Sequence, residues 1–196
     1  MKKYLALIFA ILAFIIRFVY FWFLDEIYDS ILIFFPIPTI IVLPLVSGAI
    51  WYAFSRIPKN CNWINITACV ISVFALIMHF IIPFRLMKTK YDLKFHEKEM
   101  LEIIEKVKND EFSHDELGNV DLPDNYKSLS NTGQVFVTKN DEEGQVIIFW
   151  IFRGMLSGSV ELIYSTGGEK LIKDNETGIV SIEKLKENWY YVQTDY

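Results

Sequence analysis

Val146-Ile147-Ile148-Phe149-Trp150-Ile151-Phe152 is an unbroken apolar run with no polar alternation. It is too short for a stable isolated helix, and its β-branched and aromatic content favours a strand. A strand that is apolar on both sides is expected to be buried on both faces of its sheet. One amphipathic helix covers only one face. The other is left to the segment from Gly167 to Glu187, to a protein partner or to a membrane surface, and the residues alone leave that choice open.

Working outward, Gln134 to Lys139 reads as a strand, Gln145 to Phe152 holds the apolar run, and Ser159 to Ser165 reads as another strand. Ile179 to Ile182 pairs briefly, and Asn188 to Thr194 is a final aromatic strand. Asn140 to Gly144 and Thr166-Gly167-Gly168 are turns, and Arg153 to Gly158 is a connection. Upstream, Tyr91 to Asn109 reads as a helix with Leu93, Met100, Leu101, Ile104 and Val107 on or near one stripe. The connections between successive strands are short. They favour a small α+β domain, with the amphipathic helix packed on an antiparallel sheet of about four to five strands.

The first half of the chain has a different character. Apolar stretches at 4–24, 31–54 and 64–84 approach the ~20 residues that a helix needs to cross hydrocarbon, so a three-helix transmembrane region over 1–87 is expected ahead of the soluble domain at 88–196. Lys2 and Lys3 precede a first run that is too long for a cleaved signal peptide, which implies a signal anchor. Pro36 and Pro38 suit a first helical turn, whereas Pro44 is interior and should kink its helix. Lys2, Lys3, Arg56 and Lys59 on one side, against Arg85, Lys88 and Lys90 on the other, favour a cytoplasmic N-terminus and an extracytoplasmic C-terminal domain. In this arrangement Arg17 and His79 are intramembrane polar residues, and Arg85, Lys88 and Tyr91 are interfacial anchors. The pairs Ala6/Ala10, Ala49/Ala53 and Ala68/Ser72 have the spacing that lets helices approach closely.

Charge and motifs exclude more than they assign. Residues 1–87 carry 6 basic and 3 acidic side chains, a balance of +3, whereas 88–196 carry 13 and 21, a balance of −8. So acidic a domain argues against a nucleic-acid partner. Both cysteines, Cys61 and Cys69, lie in the first half, which leaves the second without disulfides or thiolate metal sites. His96-Glu97-Lys98-Glu99-Met100 places Met where a zinc-protease helix needs its second His. Gly154-Met155-Leu156-Ser157-Gly158 sets its Ser one place too late for a nucleophile elbow, and in Ser165-Thr166-Gly167-Gly168-Glu169-Lys170 the Lys is displaced from the phosphate-loop pattern. The acidic stretch Asp110 to Glu116 contains His114 but reads as a solvated turn. No catalytic residue, metal ligand or cofactor is implied.

Leu122-Pro123-x-x-Tyr126-x-x-Leu129-Ser130-x-x-Gly133, then Phe152-Arg153-Gly154 and Asn188-Trp189-Tyr190, resemble a domain of uncharacterised small bacterial membrane proteins over roughly 95–193. The resemblance implies a bacterial, membrane-tethered domain and carries no activity or site. The expected function is that of a membrane-anchored, non-enzymatic module whose outward domain binds a protein or envelope component, with self-association as another route. Trp150, Arg153, Met155, Leu156 and Trp189 are the candidate partner contacts, because aromatics and Arg are enriched at interface centres. The alternative is an accessory or immunity-type protein acting through its transmembrane helices. An enzyme ranks third, for want of a positioned pair of titratable groups.

Overall fold

A computed structural model describes residues 4–22, 44, 46–52, 54, 62–80, 83–115, 117–138, 144–153 and 158–195. The chain divides into two compact units, Met1–Arg85 and Leu86–Tyr196.

In the first unit α1 (Leu5–Trp22) and α2 (Trp63–Phe80) pack with helical residues within 44–54. Small side chains make the contact: Ala6, Ala10, Ala49 and Ala68 are buried together, and Ala13, Val46 and Ala75 form a second cluster. Ser72 is buried too. Of the expected small pairs, Ala6, Ala10, Ala49 and Ala68 therefore sit where helices meet, and Ala53 lies outside the described residues. Ile8, Leu12 and Ile15 of α1 and Val70, Phe74 and Ile77 of α2 remain exposed.

The expectation of three membrane-crossing helices is overturned. Among the described residues no helix is long and apolar enough to cross a membrane. α1 and α2 hold 18 residues each. Of the stretch 31–54, only positions within 44–54 are described, and Pro36 and Pro38 fall outside them. The transmembrane anchor, the multi-pass placement and the orientation drawn from loop charges fall with the spans. Arg17 and His79 lie within α1 and α2. Pro83, at the far end of the third apolar stretch, immediately precedes a further helix, α3 (Phe84–Lys108), which takes in Phe84. Arg85, Lys88 and Tyr91 belong to that helix, with the Tyr91 ring 4.3 Å from that of Phe95.

The second unit is built on one antiparallel sheet of six strands, more than the four to five expected. These are β1 (Asn119–Asp121), β2 (Gln134–Thr138), β3 (Val146–Arg153), β4 (Ser159–Ser165), β5 (Ile179–Lys186) and β6 (Trp189–Thr194), in spatial order β1-β2-β3-β4-β6-β5. β3 and β4 are central, so the all-apolar run has a neighbour on each side as well as both faces to bury.

On one face Leu93, Met100, Ile103, Ile104 and Val107 of α3 pack with Val135, Val137, Ile147, Phe149, Leu162 and Trp189. The helix stripe is shifted slightly from expectation: Ile103 is fully buried and Leu101 is 37% exposed. The other face, Val146, Ile148, Trp150, Ile163, Tyr190 and Val192, takes Leu171 and Ile172 of a short helix, α4 (Gly168–Asn175). The segment from Gly167 to Glu187 thus supplies a cover for the second face. The Leu122 to Gly133 motif has a structural role: Leu122 and Leu129 join the first core, Tyr126 N–H donates to the Pro123 carbonyl at 2.8 Å, and Gly133 adopts φ +67°.

Two ion pairs tie α3 to the edge strand β5, Lys90 to Glu183 at 2.7 Å and Lys186 to Glu97 at 2.6 Å. Their partners are largely solvated, and such pairs contribute less than about 1 kcal/mol. Lys186→Ala is therefore expected to leave the chemical denaturation midpoint nearly unchanged; a loss of several kcal/mol would show that the pair is far better shielded than its exposure indicates.

Candidate functional site

The site lies on the α4 face, at the end of the sheet beyond the apolar cluster. Its first determinant is a β-bulge. Side chains alternate along a strand, so Trp150 and Arg153, three residues apart, would ordinarily face opposite sides. The pairing Trp150↔Glu161 and then Phe152↔Val160 absorbs one extra residue, and the next pair is Arg153↔Ser159. Ile151 packs toward the α3 face. Trp150 and Arg153 consequently share one face with Glu161 and Ser159, and the Arg153 guanidinium carbon lies 4.7 Å from the Trp150 ring centroid. At the same place the loop after β1 takes over from β2 as the neighbour of β3: Trp150 N–H donates to Ser130 Oγ at 3.0 Å, and Asn131 N–H donates to the Trp150 carbonyl at 2.6 Å.

Glu161 is the central group. It is 1% exposed, although it is a carboxylic acid on a central strand. Ser159 Oγ–H donates to its Oε1, and Ser159 Oγ is 2.6 Å from Thr194 Oγ1 at the end of β6. Among the described residues Glu161 Oε2 is buried without a hydrogen-bond partner, and Nε1 of its cross-strand neighbour Trp150 is likewise buried and unpaired. Burial raises the Glu161 carboxyl above its ordinary range, opposed by the Ser159 hydrogen bond and the Arg153 charge.

The second carboxylate is Glu176, placed by the C-terminus of α4. Its N–H donates to the Ile172 carbonyl at 2.8 Å, which ends the helix. Gly178 then turns with φ +67° against the end of β6, where Asp195 N–H donates to the Gly178 carbonyl at 2.8 Å. Glu176 is half-buried, and its carboxyl is raised to about 7, first by burial and then by the negative charge of Glu161. The Glu176 carboxyl therefore takes up or releases its proton near neutral pH.

Linkage fixes the sign of the effect. A carboxyl that ionises near 4.5 when unfolded and about 7 when folded binds more protons in the native state between those values. Its contribution is full below pH 4.5 and is lost as pH rises through about 7. Glu176→Gln is expected to flatten the fall in stability from pH 5 to pH 8, by about 1 kcal/mol once solvent screening of a half-open group is discounted. Denaturation curves at both pH values check this; an unchanged slope would remove Glu176 as its source.

The structure spreads the sequence-derived contacts apart. Trp150 is 7% exposed and forms the floor of this site, and Arg153 is exposed above it. Trp189 is 1% exposed on the opposite face, with its ring 5.2 Å from that of Tyr164. Met155 and Leu156 lie outside the described residues. Sequence reasoning missed Glu161 and Glu176. The available signal was that Ser159 and Glu161 share strand parity with Ile163, so a central strand must bury them on an apolar face.

The acidic stretch at 110–115 is a turn device. Asp115 Oδ1 accepts the N–H groups of Leu117 and Asn119 at 2.9 and 2.7 Å. Among the described residues no group of three or more His, Cys, Asp or Glu side chains converges as a metal cage. No family model, curated protein or solved structure matches the chain.

Proposed function

We propose that the unit formed by residues 86–196 is a non-enzymatic protein-binding module whose contact surface is the bulged end of β3. The observation that carries this reading is the exposed Arg153 seated on the Trp150 ring beside the fully buried Glu161 carboxylate, one oxygen of which has no hydrogen-bond partner among the described residues. An Arg over a Trp supplies the residue types that dominate interface centres, and the half-stacked guanidinium has donors left for a partner. Catalysis is the weaker reading. Glu161 is sealed from any reacting atom, and an acid and a base must both come within hydrogen-bond reach of a substrate.

Site-directed photocrosslinking in cells that produce the full chain tests this. The variant Arg153→p-benzoylphenylalanine is expected to yield a discrete adduct with another polypeptide, whereas the same group at Asp124, a 96% exposed side chain away from the site, yields none. Equal adducts at both positions, or none at 153, would count against the surface.

A further inference from the structure

We propose that the outward side of α3 is a second contact surface, which takes an acidic amphipathic helix of another protein against a ridge formed by Met87, Tyr91 and Phe95. α3 covers the face of the sheet opposite to that of Trp150, so this surface stands or falls independently of the bulged end of β3.

A helix that covers one face of a sheet needs one apolar stripe, and α3 has two. Leu93, Met100, Ile103, Ile104 and Val107 supply the first, toward the core. Met87, Tyr91 and Phe95 recur every four residues on the outward side and are 53%, 47% and 59% exposed. Single exposed apolar residues need no explanation, but a contiguous row of large ones marks a contact surface. The row is preformed, because the Tyr91 and Phe95 rings already lie 4.3 Å apart, and ordering them costs a partner little. Rows at this spacing are the ridges by which helices interlock, crossing at about 50°. The occupant that matches the row is therefore a helix.

Charge selects which helix. Residues 86–98 carry 4 basic and 2 acidic side chains, a balance of +2, whereas 99–196 carry 9 and 19, a balance of −10. The row thus lies in the basic part of an acidic unit. Lys90 and Glu97 are committed to β5 through their ion pairs. Lys94 and Lys98 form no ion pair among the described residues, and Lys94 Nζ lies 5.9 Å from the Phe95 ring centroid. Each stands three residues beyond a ring of the row, Lys94 after Tyr91 and Lys98 after Phe95, and so flanks it on the same side of the helix. Two ammonium groups beside an apolar ridge are complementary to a helix whose own apolar row is flanked by carboxylates. Glu99, Glu102 and Glu105 are exposed one turn further on, which confines that helix to the N-terminal half of α3.

The other occupants fit less well. A second copy crossing at Tyr91 sets one basic stretch on another, and like charges brought together across an interface oppose association. An anionic lipid surface suits lysines and aromatic rings, but it must also approach the rest of a unit that sums to −10. A helix meets only the row.

The test is fluorescence anisotropy of three labelled peptides of equal length, each titrated with the full chain. All are side-chain-stapled helices with Leu at i, i+4 and i+8, flanked by Glu, by Gln or by Lys. The Glu peptide is expected to bind saturably, at about 10–100 μM because one helix row is a small interface. It should bind about tenfold more tightly than the Gln peptide, and the Lys peptide should not bind. Phe95→Ala should weaken the Glu peptide at least about tenfold, and Lys94→Gln combined with Lys98→Gln should abolish its advantage over the Gln peptide. These positions are exposed, so the denaturation midpoint should stay unchanged. Val180→Ala, which trims a 65% exposed apolar residue of β5, should bind like the wild type and so exclude general apolar adhesion. Equal binding of the three peptides, wild-type binding by Phe95→Ala, or no saturable binding of the Glu peptide would each overturn the proposal. Sedimentation of the chain alone and with phosphatidylserine vesicles tests the other occupants. A dimer that Phe95→Ala dissolves, or vesicle binding in preference to the Glu peptide, would overturn it in favour of a second copy or a lipid surface.

Discussion

Trp189→Ala is expected to cost about 3–5 kcal/mol, a large part of the 5–15 kcal/mol that holds a typical domain together. Trp189 is 1% exposed at the start of β6, with its ring 6.0 Å from Phe149 and 5.2 Å from Tyr164, in the cluster that α3 closes. Removing the indole forfeits its transfer free energy and leaves a cavity that the central strands cannot collapse around. Guanidinium denaturation followed by far-ultraviolet circular dichroism measures it, using the transition assigned to 86–196, because a chain of two units need not unfold in one step. A loss below about 1 kcal/mol would mean that the indole is not the core anchor its burial implies. The result bears on function too. Loss of partner binding in this variant would report unfolding, which makes Arg153 the residue to probe contact.

The same aromatic shows how far the sequence could be read. Trp189, Trp150 and Arg153 stand out as residue types, but type does not say which face a side chain takes. Strand parity does, and it serves well where pairing is regular: β4 spans Ser159–Ser165 as expected, and β2, β3 and β6 differ by about a residue at their ends. It fails where registers shift. β5 was expected to be brief at Ile179 to Ile182 yet continues to Lys186, because two register shifts bring its half-buried positions to Ile179, Ile182 and Leu185, a spacing of three that conceals a strand. The bulge after Trp150 is hidden for a related reason. Ile151 and Phe152 are both apolar, so hydropathy cannot show that one of them is the extra residue. α4 opens on Gly167-Gly168, which reads as a turn, and its eight residues carry too little periodicity to outweigh that signal. Glu176 depends on α4, whereas Glu161 follows from the parity of β4. The transmembrane expectation failed differently: it rested on composition over windows of about 20 residues, and among the described residues no helix is long and apolar enough to cross a membrane.

Gly158→Ala is expected to exceed the cost of its backbone strain alone, and Gly168→Ala separates the two contributions. Both glycines have left-handed backbones, φ +75° and +73°. A Cβ in that region costs about 1–2 kcal/mol. At Gly168 the added atom meets only the Tyr190 hydroxyl at 3.6 Å, so strain is the whole expectation there. At Gly158 it overlaps the Thr194 carbonyl oxygen and lies 2.8 Å from the carbonyl carbon, backbone that cannot rotate away. Strands β4 and β6 must then separate at this end, and the total should exceed about 3 kcal/mol. Separation stretches the 3.2 Å bond from Ser159 N–H to Thr194 Oγ1 and admits water to the Ser159, Thr194 and Glu161 cluster. Desolvation is the largest cause raising the Glu161 carboxyl, so its pKa should fall toward the ordinary range in Gly158→Ala and stay raised in Gly168→Ala. Carboxyl-carbon magnetic resonance titration of the two variants measures this directly. Equal stability losses, with Glu161 titrating alike in both, would show that the close approach at Gly158 does not hold the carboxylate dry.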